Sequence, residues 1–136
     1  YLRWLSCKLK VMIGNFPARH NIRVVKGDAI DLTFHVARVL DGIGQTFYAA
    51  LNQPPDLGII YPVTNITIRV RRKDELLIKE WTTGLSPADI VCAGATFHLT
   101  DDIGFEQSGM FDYQVEDTVN NVTIISGYFW VEKEIT

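Results

Sequence analysis

Ile30-Asp31-Leu32-Thr33-Phe34-His35-Val36 carries the plainest period-two alternation in the chain. Ile30, Leu32, Phe34 and Val36 alternate with Asp31, Thr33, His35 and then Ala37. Successive side chains of an extended strand leave opposite faces, so this segment buries one face and wets the other. Gly27-Asp28 precedes it and closes a shorter strand, Ile22 to Lys26, while Asp41-Gly42 breaks it on the far side. Further along, Ile66, Ile68 and Val70 alternate with Thr67, Arg69 and Arg71. The polar turn Lys73-Asp74-Glu75 returns the chain through Leu76 to Trp81, which reads as a hairpin.

The same period returns in Ala95 to Thr100, in Gly109 to Glu116 and in Val122 to Glu134. Asn120-Asn121 joins the last two, since Asn tolerates the left-handed backbone of a tight turn. Gly127, inside the final strand, marks a bulge or a close approach of backbone. Ser86-Pro87 suits the start of a single helical turn. Leu5, Cys7, Leu9, Val11 and Ile13 also alternate, and Lys8 and Lys10 interrupt what would otherwise resemble a secretion signal. The expectation is an all-β chain, an antiparallel β-sandwich of about eight strands.

Composition sets the outer limits. The chain has 136 residues, which reads as a single β-sandwich domain over 1–136. An apolar share of 47% is too high for disorder, and no run approaches the roughly 18 apolar residues of a membrane span. A net charge of −3 argues against nucleic acid and against anionic membranes as partners. Two cysteines, Cys7 and Cys92, sit beside apolar residues and read as buried free thiols, leaving the compartment open.

Two stretches fall outside the rhythm. Residues 1–16 form an N-terminal strand or extension. Residues 41–65 hold Pro54-Pro55, Pro62 and the aromatics Phe47, Tyr48 and Tyr61, and read as a long inserted loop. Loops beyond about 12–15 residues are uncommon in compact domains unless they serve a function. Leu51, Leu57, Ile59 and Ile60 argue that this one is ordered and packs on something.

Catalytic and cofactor motifs are absent from the sequence. Gly42-Ile43-Gly44 lacks the third glycine and the helix of a dinucleotide site. His20, His35 and His98 have no zinc-ligand spacing, although His35 and His98 can meet across strands. Asp28 with Asp31, or Asp101-Asp102 with Glu106, lack a calcium-loop pattern and read as solvated turn acids. Asp117 reads as an ordinary hairpin-end residue. The expectation is a protein with no catalytic residues, no metal, no cofactor and no small-molecule substrate. A hydrolase would need a carboxylate pair facing across a cleft, for which Asp101 and Asp102 are the nearest material.

Arg69, Arg71, Arg72 and Lys73 form a basic cluster, with Arg69 and Arg71 on one strand face. A solvated face that blunts a sheet edge is its plain reading, and binding of an acidic partner or glycan the functional one. Asn65-Ile66-Thr67 and Asn121-Val122-Thr123 match the glycosylation pattern, which matters only in a secreted eukaryotic protein.

Two stretches together carry a family likeness. Val25-Lys26-Gly27-Asp28 leads into Ile30 to Val36. Ser108-Gly109-Met110-Phe111-Asp112-Tyr113-Gln114-Val115 is then followed, after the Asn turn, by Ser126-Gly127-Tyr128-Phe129-Trp130-Val131. This layout, spanning about residues 22–134, resembles the Ig-like N-terminal domains of baseplate upper proteins and related bacteriophage tail proteins. Gly109 to Tyr113 is also similar to immunoglobulin strand F, but Phe111 stands at the corner-tyrosine position and Tyr113 at the cysteine position, against an inter-sheet bridge.

The resemblance implies a non-enzymatic virion part that docks on other virion proteins and self-associates as a homo-oligomer. Its candidate interface residues are Trp4, Phe16, Phe47, Tyr48 and Tyr61, because aromatics are enriched in interface cores, together with Arg69 and Arg71. The N-terminal strand either completes its own sheet or pairs with a neighbour's edge. The alternative is a secreted or cell-surface module, extracellular, binding protein or carbohydrate with Trp81 or Tyr61 as a stacking platform.

Overall fold

A computed structural model describes residues 14–85 and 89–134. The N-terminal strand expected at Leu5 to Ile13, with Trp4 and Cys7, lies outside the described residues, as does the turn expected at Ser86-Pro87. Asp89, just after that turn, already belongs to a strand.

The described residues hold twelve strands, against the eight or so expected. In chain order they are β1 Gly14–Phe16, β2 Ala18–Arg19, β3 Ile22–Val25, β4 Ile30–Asp41, β5 Gly44–Leu51 and β6 Ile59–Ile60, then β7 Ile66–Arg71, β8 Leu77–Thr82, β9 Asp89–Ala93, β10 Thr96–Asp101, β11 Gly109–Asp117 and β12 Val122–Glu132. One sheet has the order β1-β5-β4-β10-β9, with β6 also on β4. The other has the order β2-β12-β11-β7-β8, with β3 also on β12. Their inner faces enclose one core that includes Phe34, Val36, Ile68, Phe97, Leu99, Tyr113, Ile125 and Phe129.

The topology is that of an Ig-like sandwich. An immunoglobulin domain pairs B-E-D in one sheet and G-F-C in the other, and a variable-type domain adds C′ beside C. Here β4-β10-β9 and β12-β11-β7-β8 reproduce those two runs in the same chain order. The fold is all-β, as expected, but it is not purely antiparallel. β1 runs parallel to β5, and β2 and β3 run parallel to β12, so the chain start crosses from one sheet to the other at Pro17.

The stretch 41–65 is corrected. It is no loop in its first half: Gly44–Leu51 returns antiparallel along β4 from Asp41↔Gly44 to Phe34↔Leu51. β5 thereby takes the place beside B that strand A holds in an Ig domain. The alternation escaped notice because the inward residues Phe47, Ala49 and Leu51 face outward neighbours Tyr48 and Ala50, which are not polar. The second half does pack as an ordered segment. Ile59–Ile60 pairs with Ala37 and Arg38, and Tyr61 and Val63 then enter the core.

Rings fill the space that a disulfide and a strand-C tryptophan occupy in antibody domains. Phe105 meets Trp81 edge-on at 5.8 Å, stacks on Phe111 at 6.0 Å and touches Phe129 at 5.1 Å. Phe34 stacks on Phe97 at 5.0 Å. Such pairs add about 0.5–1.5 kcal/mol each beyond the area they bury. Tyr113, at the cysteine position, is buried and its Oη donates to the His20 carbonyl at 2.5 Å. Cys92 is free and half-buried, and burial pushes its thiol pKa up.

Three strands end in the same device. Asp41 closes β4, and its Oδ1 accepts from the amides of Ile43 and Gly44 at 2.9 and 3.1 Å. Asp101 closes β10 and accepts from Ile103 and Gly104 at 2.9 and 3.3 Å. Asp117 closes β11 and accepts from Val119 and Asn120 at 3.0 and 3.4 Å. The side chain satisfies amides that the ladder abandons at the turn.

Asp101 and Asp117 are buried, which corrects their reading as solvated or ordinary turn residues. Each also ties the two sheets together. Asp101 Oδ2 accepts from Trp81 Nε1 at 2.7 Å and pairs with Lys79 Nζ at 2.9 Å. Asp117 Oδ2 accepts from Tyr61 Oη at 2.6 Å and from Asn120 Nδ2 at 2.9 Å.

The second tie has an alkaline signature. Burial, and then the bond to the Asp117 carboxylate, push the Tyr61 hydroxyl up to about 12. A raised pKa means the folded state keeps the proton longer, so this contribution is whole below the unfolded tyrosine value near 10 and is lost as pH rises toward 12. Tyr61→Phe removes that share, and a denaturation series from pH 9 to 12 shows a shallower alkaline fall. At neutral pH the variant loses about 1–3 kcal/mol, because Asp117 keeps only part of its donor set.

Candidate interaction surfaces

The first surface lies along the far half of β4. Leu40, Ile43, Leu57, Ile59 and Ile60 are all exposed, Ile59 and Ile60 at 79% and 71%. They belong to the tip of the β4–β5 hairpin or to the segment laid against Ala37 and Arg38. Single exposed aliphatics are ordinary, but several neighbouring ones mark a contact surface.

On the side of β4 away from Ile59 and Ile60, β5 has an open edge. β1 pairs with it only from Gly44 to Thr46, so among the described residues Phe47 to Leu51 have a strand neighbour on the β4 side alone. A cleft of about 480 Å³ runs beside this edge, lined by Pro17, Ala18, Tyr48, Pro55 and Leu57. An open strand edge is a template for another strand.

The second surface is the outer face of the β12-β11-β7-β8 sheet. Trp130 stands across from Met110, and Tyr128 across from Asp112. Trp130 and Met110 are about half exposed, at 49% and 46%. Arg23 lies over the Trp130 ring at 4.7 Å while its Nε donates to Glu132 at 2.7 Å, so the guanidinium covers one face of the ring.

Beside these rings is a cleft of about 280 Å³ whose lining includes Arg19, Arg69, Arg71, Arg72, Gln114 and Ser126. Arg69 is engaged by Glu80 at 2.8 Å and Glu116 at 3.7 Å. Arg72 is engaged by Asp74 at 2.6 Å, and that guanidinium holds the Asp74 carboxyl down at about 2. Among the described residues Arg19 reaches only the Ser126 hydroxyl, at 3.5 Å. Arg71 has no ion pair among the described residues, and its Nε is buried without an acceptor. Leaving such a donor unmet costs about 1–3 kcal/mol.

The interface residues expected from the sequence therefore divide. Phe47 and Tyr61 are core residues, 1% and 5% exposed, and cannot anchor a partner. Phe47 is inward on β5, and Tyr61 enters the core just after β6, so neither stands on a loop surface. Trp81 is 2% exposed and is no stacking platform. Phe16 is exposed at 45% beside β5, and Tyr48 is half-buried in the apolar cleft. Arg69 and Arg71 share the outer face of the second sheet, as their spacing indicated, and only Arg71 is left without a carboxylate. Trp4 lies outside the described residues.

The sequence reasoning missed Trp130, Tyr128 and Met110 as surface groups, although they alternate with the inward Phe129, Val131 and Phe111. It also missed the repeated Asp-x-Ile-Gly at 41–44 and 101–104, a local signal for the strand-end carboxylates. His35 and His98 share a face of the β4–β10 pair, and His98 bonds Asp31 instead. Among the described residues no cluster of metal-ligating side chains is present.

No protein-family model and no curated protein matches the sequence. Among solved structures, the crystal structure of the Ig1 domain of mouse SynCAM 2 is similar, with a TM-score of 0.36 and 13% identity, over 90% of this chain and 100% of that chain. A likeness of that size says nothing about what the chain binds.

Proposed function

We propose that this chain is a non-enzymatic assembly module, a structural component of a bacteriophage virion in the tail, the baseplate or a head appendage. It works by docking on other virion proteins and on copies of itself. Its partners are proteins, not nucleic acid, membrane or a small-molecule substrate, and it resides in particles assembled in the host cytoplasm.

The observation that carries the docking is the edge of β5 left open among the described residues, with Tyr48, Pro55 and exposed Leu57 beside it. A second copy offers the same edge, and strand addition supplies backbone hydrogen bonds while these side chains lose water. The Lys26-Gly27-Asp28 turn and the repeated Ser-Gly-x-Phe pattern at 108–111 and 126–129 support the virion assignment.

Leu57→Lys tests the surface. The side chain is exposed, so the change alters stability by about 0.5 kcal/mol or less. Association weakens by about tenfold or more, the loss of one buried aliphatic anchor. Analytical ultracentrifugation over a wide concentration range reads this, and a strict monomer at the highest concentration overturns self-association. Mass spectrometry of purified particles tests the location; absence from them overturns the virion role.

The second reading is a secreted or cell-surface module. What favours it is Trp130, a half-exposed ring with Arg23 over one face, whose other face suits stacking on a sugar. A glycan array without signal above background removes the carbohydrate form of it.

A further inference from the structure

We propose that the arginine cleft on the outer face of β7, β11 and β12 is an oxyanion-binding site, with Arg71 as the central donor and Arg19 as the second. The proposal stands on the cleft alone and is independent of the virion role. Four guanidiniums line the cavity, against the two carboxylates of Glu75 and Asp112. Arg69 and Arg72 already have carboxylate partners. That leaves Arg19 and Arg71 without a carboxylate at ion-pair distance among the described residues, although Glu75 and Asp112 share the lining.

Arg71 is the residue that most needs a ligand. Its Nε is the buried side-chain donor left without an acceptor among the described residues. Asp112 sits directly opposite on β11, yet no ion pair forms between them. A guanidinium presents its donors in a planar fork, which matches two oxygens of a carboxylate or of a phosphate or sulfate group. Arg19, on β2 across the cleft, faces the same space from the other side of Ser126.

The cleft is also assembled by the fold and not by one segment. β2 brings Arg19 to β12 by parallel pairing at Ile125 and Ser126, whereas β7 brings Arg71 to β11 from the opposite flank. A carboxylate on a neighbouring protein and a free inorganic anion present the same acceptor oxygens, and the test separates these sources.

The full chain is titrated at constant ionic strength with sodium sulfate and, separately, with an acetylated Asp-Glu dipeptide amide. The arginine Nε–H resonances are followed by NMR. The Arg71 resonance shifts and saturates, and Arg71→Gln weakens binding by about tenfold or more. Arg71→Lys keeps the charge but loses the fork, and weakens binding by a similar factor. Arg23→Gln, on the same face but paired with Glu132, leaves binding unchanged.

Saturation by either probe supports the site. A dipeptide that binds more tightly than sulfate assigns it to a partner's carboxylate, and the reverse assigns it to a free tetrahedral anion. Absence of saturable shifts with both probes overturns the proposal. So does an Arg71→Lys variant that is folded by its melting curve and binds like the parent, because then only diffuse positive charge is involved.

Discussion

Replacing Asp101 by alanine lowers the unfolding free energy by about 3–5 kcal/mol, the range for breaking a buried ion pair by removing one partner. The carboxylate is 2% exposed and serves four donors: Trp81 Nε1, Lys79 Nζ and the amides of Ile103 and Gly104. Its loss strands the indole N–H in the aromatic core and leaves Lys79 pointing inward from an edge strand without its counter-charge. Urea denaturation at neutral pH measures the change, and a loss under 1 kcal/mol contradicts the role given to Asp101 here.

The pH dependence supplies a second reading of the same residue. Burial alone raises the Asp101 pKa, but the bonds from Trp81, Lys79 and Ile103 outweigh it and leave the carboxyl below its usual value. The folded state therefore takes up the proton less readily than the unfolded one. This contribution is whole above the unfolded carboxyl value of about 4 and is lost as pH falls through the lower folded value. Asp101→Asn keeps the shape, costs less than alanine at neutral pH, and flattens the acid limb of the stability curve.

Gly127→Val is the other large effect, at about 2–4 kcal/mol from overpacking and lost hydrogen bonds. A Cβ at this position lies 2.1 Å from the His20 carbonyl oxygen and 2.8 Å from its carbon, both backbone atoms that cannot rotate away. The β2–β3 arch must lift from β12. That breaks the Tyr113 bond to His20, the His20 amide bond to Ser126 and the Tyr128 amide bond to Asn21 Oδ1. Hydrogen exchange resolves the damage: amides of β2 and β3 lose protection while those between β7 and β11 keep most of theirs. Gly94→Ala is the control, with open space around the new methyl group and only the cost of its left-handed backbone, φ +61°.

Gly127 was legible as a close-approach point because a glycine inside an aromatic strand has few other uses. The hairpin of β7 and β8 was legible for the same local reason, and its first strand runs over the expected residues 66–71. β5 was not legible. Its inward Phe47 and Ala49 look like any apolar pair until β4 supplies the register that turns one face to the core.

Asp101 and Asp117 were hidden in a different way. A carboxylate at a turn is usually solvated, and the donors that justify burial here come from Trp81 and Tyr61, 20 and 56 residues away.

The site divides along the same line. Arg69 and Arg71 could be placed on one face from their spacing, since strand geometry alone settles that. That Glu80 and Glu116 neutralise Arg69 while Arg71 Nε stays unmet depends on which strands flank β7. Of three tryptophans, Trp81 went inside and Trp130 outside, although both sit in alternating segments.

What the amino-acid sequence determined by itself is the all-β class and the run of half-buried strands from Ile30, Ile66, Gly109 and Val122, because alternation is a property of neighbouring residues. Tertiary structure alone decided that β5 takes the place beside β4, that two aspartates are buried as ties between the sheets, and that the Arg71 Nε has no acceptor among the described residues. Each of those depends on a partner brought from far along the chain, and no local pattern encodes a partner's position.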